Sequence, residues 1–188
     1  MVLTKTVDPT SRPVTLPETK LHLRVDHDDE DQWIDGAINS ALGELEAETG
    51  RQFITATYTM TLGAFPAVIK IPRPPLQSVT SITYIDLAGD SQTVTASDYT
   101  LVLQPDAPYV LPSFGNAWPS TRDVPEAVTV TFVAGYGLAA AVPQELRQAL
   151  MMIVADSYRF RGQKTEVKLM NNEAIDRLVW PHRVTLFA

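Results

Sequence analysis

Five carboxylates fall within six residues, Asp26, Asp28, Asp29, Glu30 and Asp31, a density that could serve a hard cation through oxygen ligands. A calcium loop of the EF-hand type needs Gly at its sixth position and Glu at its twelfth. Counted from Asp26, those positions hold Asp31 and Ala37, so the run does not fit. Its better reading is the acidic start of a helix, where carboxylates cap free N–H groups and complement the macrodipole. The histidines His22, His27 and His182 show no i,i+4 pairing and no H-E-x-x-H context, which leaves no basis for a transition-metal site or a His-based catalyst. Gly135-Tyr136-Gly137 matches neither a Walker loop nor a dinucleotide fingerprint, and its glycines suit a turn from strand to helix. There is no G-x-S-x-G elbow. Cysteine is absent, which removes thiolate chemistry and suits a reducing compartment. Catalytic, metal and cofactor-binding residues are therefore assigned as none, and the chain is read as no enzyme. A small hydrolase whose carboxylates meet only in space leaves no spacing to find; an activity screen with a pH profile is its test.

What remains is the chemistry of surfaces. Arg159 and Arg161, with Lys164 and Lys168, form the basic cluster of the sequence. Two uses stay open for it: compensation of a helix C-terminus, or a polar contact to an acidic partner or to passing DNA backbone. The segment Trp180–Ala188 carries Trp180, Val184, Leu186 and Phe187, which either fold back on their own domain or anchor on another chain. The net charge is −7, distributed as −7 over residues 1–50, −2 over 51–142 and +2 over 143–188. An acidic balance argues against tight nucleic-acid binding, which needs a basic footprint. The opposite polarity of the two ends can steer stacking between partners, or it can be plain solvation of helix faces. No secretory signal is visible in residues 1–13, and no apolar run is long enough to cross a bilayer as a helix.

These residues must be positioned by a frame whose period changes twice. Residues 1–12 carry no period and are expected to run extended over a surface or a neighbour. Leu16–Leu23 reads as a short helix with Pro17 at its first position. In Glu30–Thr49, Ile34, Ile38, Ala41, Leu42 and Leu45 repeat at helical spacing and Gly50 stands where a C-terminal glycine belongs. Gly36 and Gly43 inside that helix are expected to allow close packing on another helix. From Ile54 to Leu62 the apolar residues alternate with threonines, the period of a half-buried strand. Further short strands are expected at Ala67–Ile71, Val79–Ile85, Thr93–Thr95, Tyr99–Leu103, Tyr109–Leu111 and Val128–Val133. A second long helix spans Pro143–Arg161, with Leu146, Ala149, Leu150, Ile153, Val154, Ser157 and Tyr158 inward and Gly162 ending it. Gln163–Asn172 reads as a mobile loop and Glu173–Val179 as a last short helix. The fold class expected is α+β, a helical bundle with an antiparallel β-rich subdomain inserted between the two long helices. It forms one domain over residues 1–188: helical parts at about 16–50 and 143–179, the β-rich insertion at about 53–134 and a tail at 180–188.

The order of these elements resembles a family of phage head–tail connector (adaptor) proteins, also found in prophages and gene transfer agents. The carrying residues are Leu21-His22-Leu23-Arg24-Val25-Asp26 with Asp28-Asp29-Glu30-Asp31, then Glu48-Thr49-Gly50-Arg51 and Pro72-Arg73-Pro74-Pro75-Leu76-Gln77-Ser78-Val79. They continue with Trp118-Pro119-Ser120-Thr121-Arg122, Ala127-Val128-Thr129-Val130 and Ala134-Gly135-Tyr136-Gly137, so the resemblance covers residues 16–162. Leu178-Val179-Trp180-Pro181-His182-Arg183 is similar to the family's Leu-Leu-x-Pro-Tyr-Arg ending, with His182 in place of Tyr and an added Val184–Ala188 tail. Residues Gln163–Asn172 lack the family's usual apolar content.

The resemblance implies a homo-oligomeric ring of about twelve copies. The ring would sit in the virion at the head–tail junction, beneath the portal protein. It would extend the DNA channel without sequence-specific binding and dock the tail-side stopper protein. Synthesis would be in the bacterial cytoplasm, with no membrane and no cofactor involved. On that reading Asp28, Asp29 and Asp31 are candidates for the channel wall, where like charge keeps phosphates sliding. Arg159, Arg161, Trp180, His182, Arg183 and Phe187 are candidates for contacts to the portal or a neighbour. The alternative is a β-rich carbohydrate- or host-binding module of a phage particle, with Trp33, Trp118, Tyr84, Tyr99 and Tyr109 as stacking faces; it gives the long helices no purpose.

Overall fold

The computed structural model describes residues 1–160 and 173–184. Among these, the chain runs β1 (Val2–Val7), α1 (Leu16–Leu23), α2 (Asp31–Thr49), β2 (Ala56–Leu62), β3 (Ile69–Lys70), β4 (Leu76–Ile85), β5 (Ser91–Thr93), β6 (Tyr99–Val102), β7 (Tyr109–Pro112), β8 (Val128–Ala134), α3 (Gln144–Arg159) and α4 (Glu173–Val179). The class is α+β. A five-stranded antiparallel sheet has the order β1-β2-β8-β4-β5, and a smaller one the order β3-β7-β6.

The threonine alternation of β2 is expressed as predicted: Ala56, Tyr58 and Met60 are buried, while Thr57, Thr59 and Thr61 face outward. Thr59 and Thr61 lie opposite Thr131 and Thr129 on β8, whose Val128, Val130, Phe132 and Ala134 fill the inner face. These side chains, with Ile69, Ile82 and Val110, make one apolar cluster. The other cluster is helical. Ile34, Ile38, Ala41 and Leu45 of α2 meet Leu146, Ala149, Leu150 and Val154 of α3, with Val179 of α4 beside them.

Several expectations need correction. Residues 2–7 do run extended, but as a regular strand that the missing period did not predict: β1 pairs with β2 from Val2↔Thr61 to Val7↔Thr57. The large sheet thus draws a strand from before the helices. β1 is an exposed edge strand, so it needs no apolar alternation and offers no periodic signal. The acidic run does not cap α2. Glu30 occupies the N-cap with no side-chain bond to the backbone, since its carboxylate accepts from Tyr158 OH, and Asp28 and Asp31 are turned toward Lys20. Gly36 and Gly43 are exposed, with open space where a Cβ would stand, so they serve no packing among the described residues. Pro143 is the N-cap of α3 and not its first residue, and Ser157 points outward. The predicted loop Gln163–Asn172 and the terminating Gly162 lie outside the described residues. Gly50 does close α2, at φ +70°.

The helical and sheet halves meet along a seam. Tyr136 N–H donates to Phe53 O (3.0 Å) and Thr55 N–H to Gly137 O (3.1 Å). Gly135, at φ +123°, passes so near Ile54 that a Cβ would stand 2.7 Å from its carbonyl carbon. Glycine is required there, as the turn reading of Gly135 and Gly137 anticipates. Beside the seam, Tyr58 OH donates to Gln52, and Gln52 Nε2 donates to Glu46 Oε1 (2.7 Å) and Ile54 O (3.1 Å). Burial pushes Glu46 upward from the ordinary carboxylate range, opposed by the Phe53 N–H it accepts at 3.0 Å.

Candidate assembly interface

The acidic run is organised around one ammonium. Lys20 Nζ donates to Asp28 Oδ1 (2.5 Å) and Asp31 Oδ1 (2.7 Å), tying α1 to the start of α2. Those hydrogen bonds raise the Lys20 pKa and lower that of Asp28. Asp29 stays outside the cluster: its side chain is 94% exposed, with His27 Nδ1 3.7 Å away. The run therefore leaves Asp29 without a lysine partner among the described residues, while Asp28 and Asp31 share the single charge of Lys20. Carboxylates spent on a lysine do not form an acid–base pair.

At the other end, α4 leads into a short turn, Trp180–His182. Val179 is buried and anchors that turn, whereas Trp180 is 69% exposed. Arg183 lies with its guanidinium 5.4 Å from the Trp180 ring, and bonds Glu48 and Asp176, the latter at 3.2 Å. The His182 carbonyl accepts from Arg51 Nε at 2.5 Å, and its ring, lowered in pKa by burial, is 4.0 Å from Glu145. So Trp180 is the outward member of this group, and His182 and Arg183 hold it in place. Arg159 is exposed at the end of α3, over the Phe160 ring at 5.5 Å. Arg161 and Phe187 lie outside the described residues. The opposite charges of the two ends are partly spent within the chain, through Arg183–Glu48 and Arg147–Glu18 (3.0 Å).

Arg51 is the residue that sequence reasoning passed over. Its side chain is 7% exposed, and besides His182 it donates to Pro105 O (2.9 Å) and to Asp106. A lone arginine between Gly50 and the apolar Phe53-Ile54 was the available signal, since a buried guanidinium must find acceptors. Three of the five aromatic residues weighed as sugar platforms are engaged by other rings. Trp33 meets Tyr158 edge-on at 5.6 Å, Trp118 stacks on Phe65 at 4.8 Å, and Tyr84 abuts the same Phe65 at 5.7 Å.

Residues 13–100 match the family described as "Phage gp6-like head-tail connector protein". Over that stretch, a little under half of the chain, the sequence is similar to that family. The connector match begins ahead of α1 and ends within β6, so it includes the acidic run, Arg51 and the Pro72–Pro75 turn. The likeness of fold runs further. A structure described as "Neck of empty GTA particle computed with C6 symmetry" superposes with a TM-score of 0.82 at 22% identity, over 98% of this chain and 96% of that one. Another, "Virion of native gene transfer agent (GTA) particle", gives 0.81 at the same identity and coverage. "Neck of native GTA particle computed with C12 symmetry" gives 0.76. No curated protein matches the sequence.

Proposed function

We propose that the chain is the connector of a tailed phage or phage-like particle, acting by assembly and without covalent chemistry. The family match over residues 13–100 carries this reading, and the full-length likeness to neck components supports it. In that role copies join into a ring beneath the portal, made in the bacterial cytoplasm and incorporated into the virion. The ring extends the DNA channel and receives the stopper on its tail side. The six- and twelvefold symmetries of the similar neck structures favour a ring of that order. Residues 1–188 act as one connector domain, with the β-rich part inserted between α2 and α3 as a second lobe.

Asp29, flanked by the lysine-bound Asp28 and Asp31, contributes to the channel wall, where its exposure lets it repel phosphate. Trp180 is the anchor on the portal or a neighbouring copy, with His182 and Arg183 positioning it. Arg159, Arg161 and Phe187 supply the surrounding contacts. Mixing the purified chain with the portal protein of the same genome and imaging the product by electron microscopy tests the reading. A ring seated on the portal is expected; two components that stay apart at every concentration would remove it.

A further inference from the structure

The outer face of the small sheet forms an open groove. Ile69 and Val110 lie opposite each other and are buried, so alternation turns Val68, Lys70, Tyr109 and Leu111 outward. With Pro74 they line a groove of about 900 Å³, near the upper end of the roughly 300–1,000 Å³ usual for a binding cleft. Its surface is mainly apolar, and its charged members are Lys70, Arg73 and Asp106. Asp106 is already bonded to Arg51, so the rim keeps an excess of positive charge.

A shape that suits it stands at the far end of β4. Pro74 lines the groove just before β4 begins at Leu76, and Leu87 lies just past its end at Ile85. The 10 residues of β4, at about 3.3 Å each, set groove and Leu87 roughly 30 Å apart. The turn Asp86–Asp90 is held by its own first side chain. Asp86 Oδ1 accepts from the N–H groups of Ala88 (2.9 Å), Gly89 (3.0 Å) and Asp90 (3.0 Å), and Oδ2 accepts from Gln92 Nε2 at 2.9 Å. Leu87 is left 72% exposed at the tip. Arg122 Nη1 lies against Gly89, yet Asp86, Asp90 and the adjoining Asp123 outnumber it. The tip is a rigid apolar knob with acidic flanks.

Other exposed apolar side chains fit less well. Leu103, Phe114 and Trp180 stand only a few residues from Gln104, Leu111 and Val184, which line the groove themselves. A knob so near its own groove would pair two copies about a twofold axis and stop at a dimer. Leu21 is flanked by Lys20 and His22, and Leu138 by uncharged residues, so neither complements a cationic rim.

We propose that the groove is the seat of a second copy's Asp86–Asp90 turn, with Leu87 laid over Tyr109 and Leu111 and Asp90 facing Lys70 and Arg73. Knob and groove lie at opposite ends of one strand, so each copy gives one and receives the other. A head-to-tail contact of this kind closes into a ring when its rotation allows. The turn is ordered before contact, so docking costs it little conformational freedom. The inference deepens the connector reading, on which it rests, by naming how neighbouring copies meet.

The head-to-tail form supplies the test. Sedimentation of the full chain is compared for the parent, Leu87→Asp and Leu111→Asp. Each variant alone is expected to self-associate at least tenfold more weakly than the parent. Mixed in equal amounts, they are expected to form one-to-one pairs that grow no further, because each pair retains one intact knob and one intact groove. Variants that assemble like the parent, or a mixture that stays monomeric, would overturn the proposal. Should Leu111→Asp fail to fold, charge reversal at the exposed rim takes its place. Lys70→Glu and Asp90→Lys are each expected to weaken association about tenfold and the double variant to recover most of it; no recovery counts against the contact. A parent chain that remains monomeric at its highest soluble concentration also defeats the proposal, while docking on the portal, imaged separately, still decides the connector reading.

Discussion

At the scale of single residues, stability concentrates where charge is buried. Arg51 satisfies two backbone carbonyls and Asp106 from inside the protein, so Arg51→Ala strands acceptors as well as removing bonds. A loss of about 2–3 kcal/mol is expected by urea unfolding. Arg51→Lys should recover little, because an ammonium cannot reproduce the planar fork. Tyr58 makes a second prediction. Burial pushes its phenol up to about 12. A raised folded pKa favours the protonated form, so the stability it confers is full below about pH 10, the unfolded value. That stability should drain away as pH rises from there toward 12, followed by denaturation at stepped alkaline pH. A Tyr58→Phe variant should show a shallower slope over that window.

At the scale of elements, much was legible because period and punctuation agreed. The stripe of α2, the Gly50 stop, the alternation of β2 and the short helix Glu173–Val179 all follow from local pattern. What was hidden lacks a local signal. β1 is an edge strand with no buried alternation, and its pairing with β2 joins residues fifty or more positions apart. The start of α2 misled because carboxylates suited to capping were drawn to Lys20, a choice made by tertiary contact. α1 carries a cap that can be tested. Thr15 Oγ1 accepts from Glu18 N–H at 3.3 Å, and Glu18 Oε2 accepts from Thr15 N–H at 2.7 Å. Thr15→Ala should cost about 1 kcal/mol in a thermal melt. At the seam, Gly135→Ala combines a positive φ with a clash against Ile54 and should cost about 3 kcal/mol. If its melting temperature matched that of the parent, the close approach would be disproved.

At the scale of the whole molecule, the candidate contacts divide into those already engaged and those still open. Arg183 and His182 face inward in part, while Trp180 and Asp29 face out, a distinction that no spacing in sequence encodes. Trp180→Ala is therefore expected to weaken portal binding at least tenfold while leaving the melting temperature within a degree or two, as measured by titration calorimetry and calorimetric melting. Asp29→Lys should leave ring formation intact and impair genome packaging or ejection, scored by counting filled particles; full heads and normal ejection would exclude a channel role. The seam between the lobes has a mechanical meaning as well. Besides the backbone bonds of Gln52–Thr55 and Gly135–Gly137, the two halves are joined by Gln52 N–H to Pro74 O (3.1 Å), Arg73 to Glu46 O (2.9 Å), and Arg51 to both the His182 carbonyl and the Pro105–Asp106 loop. Force applied to the sheet would therefore be shared among several bonds before it reached the helices, which favours motion of the two halves together.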